Sequence, residues 1–291
     1  MKTKIKYGWL LCLLVFSACN SWIDITPSDR LNEDMLFEDR QGFEKAINGV
    51  YVGLVDRSLY GRNLSAGVID LMAQYYKYGN GSDFNSMLGA YKYEEQNVKD
   101  VFQVIWEKAY ALILNCNIII EKCDENKAGL SPVWKGSIKG EALALRAMLH
   151  FDMLRLFGPL TSELDKESIP YQTNSDQTVT PLLSGSEVIG LILDDLKNAV
   201  GLLKDTDPYF VEEEFSDTDL NYRRFRMNYF AAKGLMARVQ LWGGDKEKAA
   251  ITAKEVIAEG QAEGAEFFPF VTNSEATSSN PDRVFYSEVL F

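Results

Sequence analysis

At 291 residues, 46% hydrophobic and 25% charged, the chain has the composition of an ordinary globular protein, and this excludes wholesale disorder. Its formal net charge of −12 excludes nucleic acid and an anionic lipid surface as partners, because both repel an acidic protein. The first element is a leader. Lys2, Lys4 and Lys6 precede an apolar run from Trp9 to Ala18, which is shorter than the ~20 residues a bilayer-spanning helix needs and therefore reads as a secretory signal.

The run ends in Phe16-Ser17-Ala18-Cys19, which resembles a bacterial lipobox with Phe16 where leucine is commoner. Small residues before a cysteine let a lipoprotein peptidase reach the backbone, so Cys19 is the expected lipidation site, the acyl chains (palmitate or similar) holding the protein to a membrane. This divides the chain into a signal over 1–18, a tether over 19–32 that includes Pro27, and a folded domain over 33–291.

Helical periodicity begins after Glu33. Phe43, Ala46, Ile47, Val50, Tyr51 and Leu54 share one helix face. Residues 59–95 break the pattern with Gly, Asn, Ser and Tyr and are expected to be a loop-rich excursion with short helical turns. Phe102, Ile105, Trp106, Ala109, Leu112, Ile113, Cys116 and Ile120 form the next stripe. Cys116 and Cys123 lie about 10 Å apart along that helix, too far for a disulfide, and are expected to be buried small hydrophobes.

The segment GEALALRAMLHFDMLRLFGP is apolar nearly all round, which marks a helix in the middle of the fold, and Gly158-Pro159 stops it. A polar loop is expected over 160–183. Ser184 and Glu187 form a capping box before Val188, Leu191, Ile192, Leu196, Ala199 and Leu203. An acidic loop with Asp205, Asp207 and Glu212–Glu214 leads to a helix pair, 227–242 and 245–259, turned at Gly243-Gly244. Ala237, Gly244, Ala249 and Ala253 fit a degenerate tetratricopeptide repeat, and a plain helical hairpin fits as well. The only strand-like run is VFYSEVLF at the end.

Catalytic chemistry is sparse. His150, the only histidine, sits inside the all-apolar helix and is expected to be a satisfied core group rather than part of a triad or metal site. Phosphate cradles, nucleotide fingerprints and zinc spacings do not occur, so neither a cofactor nor a metal is expected. Asp194 and Asp195 are read as a solvated helix face. Glu141 and Arg146, five residues apart, diverge around the helix, and Arg146 needs a carboxylate or carbonyl from another element.

FSACNSWIDITPSD, LNEDMLFEDRQGFEKAINGVYVGL and SLYGRN resemble the N-terminal half of the SusD/RagB family. GEALALRAMLHFDMLRLFGP looks like its central helix and FRMNYFAAKGLMARVQLWGGDKEKAAITAKEVI like its later hairpin. The resemblance implies a mostly α fold of tetratricopeptide-like helix pairs with loop-rich excursions. It implies a non-enzymatic outer-membrane lipoprotein on the cell exterior that captures an oligosaccharide or other nutrient and delivers it to a SusC-like TonB-dependent transporter. Family members are longer, so a missing C-terminal part is expected. A helical-repeat scaffold binding a protein or peptide, and a divergent glycoside-active enzyme, are the alternative classes.

Sugar rings present apolar faces, so aromatic platforms with amides or carboxylates beside them suit a glycan. The excursion supplies Tyr75, Tyr76, Tyr78, Phe84, Tyr91 and Tyr93. Tyr76, Tyr78 and Asn80 are the expected ligand contacts, because Gly79 and Gly81 mark an exposed turn. Tyrosines that pack the loop onto the helices are the alternative.

Overall fold

The computed structural model describes residues 33–79, 81–176, 178–261 and 267–291. The signal and tether expected over 1–32, with Cys19, and the expected contact Asn80 lie outside the described residues.

The first helices are α1 (Glu33–Leu36) and α2 (Arg40–Leu54). Asp39 caps α2 by accepting from the Gly42 N–H, and the stripe Phe43, Ile47, Val50 and Leu54 is buried as its spacing requires. Two short helices, α3 (Val68–Met72) and α4 (Phe84–Gly89), interrupt the excursion. Next comes α5 (Gln96–Glu125), about 45 Å long, which buries Ile105, Ala109, Leu112, Ile113, Cys116, Ile120 and Cys123. Both cysteines are free, and burial pushes each thiol up to about 12.

Asn126 ends α5 in the left-handed region at φ 46°, and its side chain exchanges two hydrogen bonds with the backbone of Leu130. Such a short link forces the next helix, α6 (Pro132–Phe157), to run back beside α5. Ser131 caps α6, with Pro132 in its first turn. From Gly140 to Phe151 every residue of α6 is buried. The sequence carries apolar residues on all sides there because α5, α7 (Gly185–Thr206), α2 and α9 (Tyr229–Trp242) all pack against this helix.

The loop between α6 and α7 is not wholly irregular. It contains an antiparallel pair, β1 (Glu167–Pro170) and β2 (Leu182–Ser184), that the sequence pattern did not show. Strands of four and three residues are too short for alternation to register; buried Ile169 and the Ser168 hydroxyl, which donates to the Leu183 carbonyl, hold them in place. The Ser184–Glu187 capping box forms as expected, and α7 buries Val188, Ile192, Leu196, Ala199 and Leu203.

After α8 (Asp217–Tyr222), α9 and α10 (Lys246–Gly260) form the expected hairpin, turned by Gly244 at φ 91°. Ala237 and Ala249 are buried in it, but Ala253 is exposed, so the close approach of small residues is confined to the end nearest the turn. The expected strand VFYSEVLF is a single 3₁₀ turn at Tyr286–Glu288, following the one-turn α11 (Asn273–Ala276). Asp282 accepts from the backbone N–H groups of Val284 and Tyr286, and this local bonding curls the segment.

Leu145 and Leu149 have no exposed surface in the centre of α6. Replacing either with alanine should lower unfolding free energy by about 2–5 kcal/mol. Urea unfolding of the wild-type chain and both variants measures this; two variants that unfold at the wild-type midpoint would refute the core assignment.

Candidate functional site

Two buried polar networks fix the surface of this fold. In the first, Glu141 of α6 accepts from Tyr51 of α2 at 2.8 Å and from Arg226 at 2.9 Å, and also pairs with Arg223. Arg223 holds Asp207, at the end of α7, in a bidentate grip at 2.9 and 2.6 Å. Burial alone would raise the pKa of Glu141, but the Arg226 and Arg223 guanidinium groups outweigh it and hold the carboxyl below its ordinary value. Asp207, expected in a solvated acidic loop, is therefore fully buried.

The second network supplies the partner that Arg146 needs. Asp195 of α7 takes two bonds from Arg146, both 2.7 Å, and a third from the Tyr171 hydroxyl at 2.6 Å. Asp195 is thus a buried counter-ion and not, as its acidic neighbour Asp194 suggested, part of a solvated face. Arg146 also donates to Asn117, whose amide donates to the carbonyls of Gln172 and Asn174. His150 lies beside this network, stacked on Tyr171 at 3.9 Å. Its Nδ1–H donates to the Arg146 carbonyl, and its Nε2 accepts from the Gln172 N–H at 3.0 Å. Both ring nitrogens are satisfied only in the neutral form, and burial pushes the pKa down to about 3.

An exposed aromatic surface lies on the excursion. The Tyr91 hydroxyl donates to the Met72 carbonyl at 2.7 Å, and the Gln74 amide donates to the Gly89 carbonyl at 2.6 Å. These ties set residues 72–78 alongside 89–93. Gln74 and Tyr91 both adopt positive φ, 61° and 55°, at a cost on the order of 1–3 kcal/mol each that the ties offset. The segments so held display Tyr75, 78% exposed, Tyr76, 51%, Tyr91, 48%, and Tyr93, 43%.

Of the expected contacts, Tyr76 is on this surface, its hydroxyl 3.4 Å from Asp70. Tyr78 is half-buried, and its hydroxyl donates toward Gln74 at 2.5 Å and the Gly89 carbonyl at 2.7 Å. Its ring lies so close to Gly89 that an added Cβ would sit 1.9 Å from it. The packing alternative describes Tyr78. Tyr75, Tyr91 and Tyr93 are the exposed rings that sequence reasoning did not choose; Gly89, eleven residues away from Tyr78, was the signal for which tyrosine turns inward.

A groove of about 710 Å³ opens between α2, α6 and α9, lined by Tyr51, Met148, Leu235 and, from the end of the chain, Leu290 and Phe291. Two of the polar groups at its edge are engaged within the protein: Asp152 accepts from Tyr60 at 2.7 Å, and Arg226 is bound to Glu141, while Arg238 lies over the Phe151 ring. Its lining is mostly apolar. Among the described residues, no group of three or more His, Cys, Asp or Glu side chains is arranged to hold a metal, and no helix is long and apolar enough to cross a membrane.

A family model described as "Starch-binding associating with outer membrane", SusD-like, matches residues 21–241. The chain belongs to the SusD-like family. SusD-like protein P38 of Formosa agariphila is 28% identical over 158 residues, covering 54% of this chain and 26% of that protein. SusD-like protein P2 of the same organism is 24% identical over 261 residues, covering 87% and 46%. A SusD superfamily protein from Bacteroides thetaiotaomicron shares the fold with a TM-score of 0.62 at 22% identity, covering 82% of this chain and 49% of that structure. This SusD-like chain thus spans half or less of the length of these relatives. The mostly helical fold is shared with that SusD superfamily structure, as the resemblance implied.

The bonding of His150 has a pH signature. Unfolded histidine titrates near 6.5 while folded His150 stays neutral to about 3, so below pH ~6.5 the unfolded state binds the extra proton and stability falls. His150 should by itself lower the unfolding free energy by about 1.2 kcal/mol between pH 6 and 5 in wild type. A folded His150→Gln variant should lose that slope; urea titrations at each pH would refute the assignment if the two slopes coincide.

Proposed function

We propose that this SusD-like chain is the ligand-capturing part of a non-enzymatic lipoprotein at the cell exterior. It is anchored in the outer membrane through Cys19 and passes an oligosaccharide to a SusC-like TonB-dependent transporter. The observation that carries the reading is the family match over residues 21–241, whose description joins starch binding to outer-membrane association. The tied tyrosine surface supports a glycan ligand, because flat rings beside amides suit the apolar faces and hydroxyls of sugars. The polar networks support a role without catalysis: the single histidine and the central carboxylates Glu141, Asp195 and Asp207 are all buried in structural bonds. A binding protein needs surfaces held in place, and these bonds hold them.

Two measurements test the reading. In cells, wild type should fractionate with outer membranes, and Cys19→Ala should shift most of the protein to the soluble envelope fraction. Membrane retention unchanged in the variant would remove the anchor from the proposal. Affinity purification from solubilised outer membranes should recover a TonB-dependent transporter; recovery of other proteins instead would favour the scaffold alternative.

A further inference from the structure

We infer that residues 22–31, read above as free tether, are a strap that seats Ile23 and Ile25 in a groove between α2 and α5. The groove holds about 650 Å³ and lies against α1, with Leu36, Ala46, Gly49, Ile118 and Ile119 in its walls. Glu33, where the described chain begins, lines its edge and is paired there with Lys122 at 3.0 Å. The residues just before Glu33 therefore emerge beside the groove. Small residues on α2 keep it open. A Cβ added at Gly53 would meet a Leu112 methyl of α5 at 2.5 Å, so the two helices touch there. One turn earlier, at exposed Gly49, an added Cβ would meet nothing within 4 Å. Leu36, Ala46 and Ile118 are only half-buried along this opening.

The strap has the composition to fill this space. A free spacer gains nothing from apolar side chains in water, yet Trp22, Ile23 and Ile25 stand almost side by side. Pro27 biases Thr26 toward extended backbone, and in an extended stretch Ile23 and Ile25 fall on one side and Asp24 on the other. Residues 22–29 carry Asp24 and Asp29 and no cation. Lys45, at the groove's edge, is exposed and pairs with no carboxylate among the described residues. The family match begins at residue 21 rather than at α1, so the shared pattern includes the strap. The stretch from Ile25 to Glu33 reaches up to about 27 Å, more than the ~10 Å of α2 between Ala46 and Gly53. Under the anchor reading above, seating the strap leaves only residues 19–21 free. That is about 10 Å of chain in place of about 45 Å, and it holds the α1 end of the fold close to the bilayer.

Disulfide trapping in the purified, detergent-solubilised lipoprotein tests this. Cys116 and Cys123 are buried, so introduced thiols are the ones that react. Under mild oxidation the pair Ile25→Cys, Gly49→Cys should close about tenfold faster than Ile25→Cys, Val52→Cys, through the higher local concentration a seated strap imposes. Val52 is the control because it is 70% exposed on α2, near Gly49 but outside the groove. A second readout does not depend on cysteine. Trypsin cleavage after Arg30 should be slow in wild type and about tenfold faster in the double variant Ile23→Asp, Ile25→Asp, with helical circular dichroism retained. The mass of the N-terminal peptide reports acylation of Cys19 separately, so a failed anchor and a failed strap are told apart. Equal trapping at positions 49 and 52 would overturn the inference, as would equal cleavage of wild type and the double variant.

Discussion

The pairing of Glu141 with Arg223 is the interaction on which the arrangement of this fold depends. Glu141 is buried on the central helix α6, where an unpaired carboxylate would be expelled from the interior or neutralised. It stays charged because guanidinium groups from the segment after α8 reach it, and those groups in turn hold Asp207 at the end of α7 and Asn48 on α2. One buried carboxylate therefore ties four elements far apart in sequence. Removing one member of such a buried pair leaves an uncompensated charge and costs about 3–5 kcal/mol, comparable to deleting a large core side chain. Apolar packing alone would let α7 and α9 slide along α6; directional bonds set their register.

The Arg146–Asp195 pair does the same work on another face of α6, five residues further along. It closes a circuit through Asn117, Tyr171 and the Gln172 backbone, so the loop beyond β1 is held by side chains of α5, α6 and α7 together. Among the described residues, no buried side-chain polar atom lacks a partner. The interior is thus polar where elements must be positioned and apolar where they need only be filled, and the loops inherit the rigidity of the helices beneath them.

The helices were legible because their signals are local. Periodic stripes, the Ser184–Glu187 box and Gly243-Gly244 each act within a few residues. Asp195 was misread because its chemistry matches that of Asp194, and only a turn of about 100° on the helix decides which one faces Arg146. The β1–β2 pair was invisible because its register comes from contacts with the helices and not from its own seven residues. Tyr78 illustrates the same limit in the candidate site: composition drew attention to the right stretch, yet the choice between inward and outward rings depended on the space left open at Gly89. Local patterns reveal elements, and partners distant in sequence decide which faces remain for a ligand.

The burial of His150 reaches beyond its own helix. Histidine and cysteine are the side chains whose ordinary titration lies nearest neutrality, and here the only imidazole is held neutral while both described thiols are held protonated. Across the middle of the pH scale these groups contribute no buffering, and the folded molecule presents an electrostatic face that they do not alter. Between mildly acidic and neutral surroundings a charged ligand would therefore meet no change of field from His150, Cys116 or Cys123.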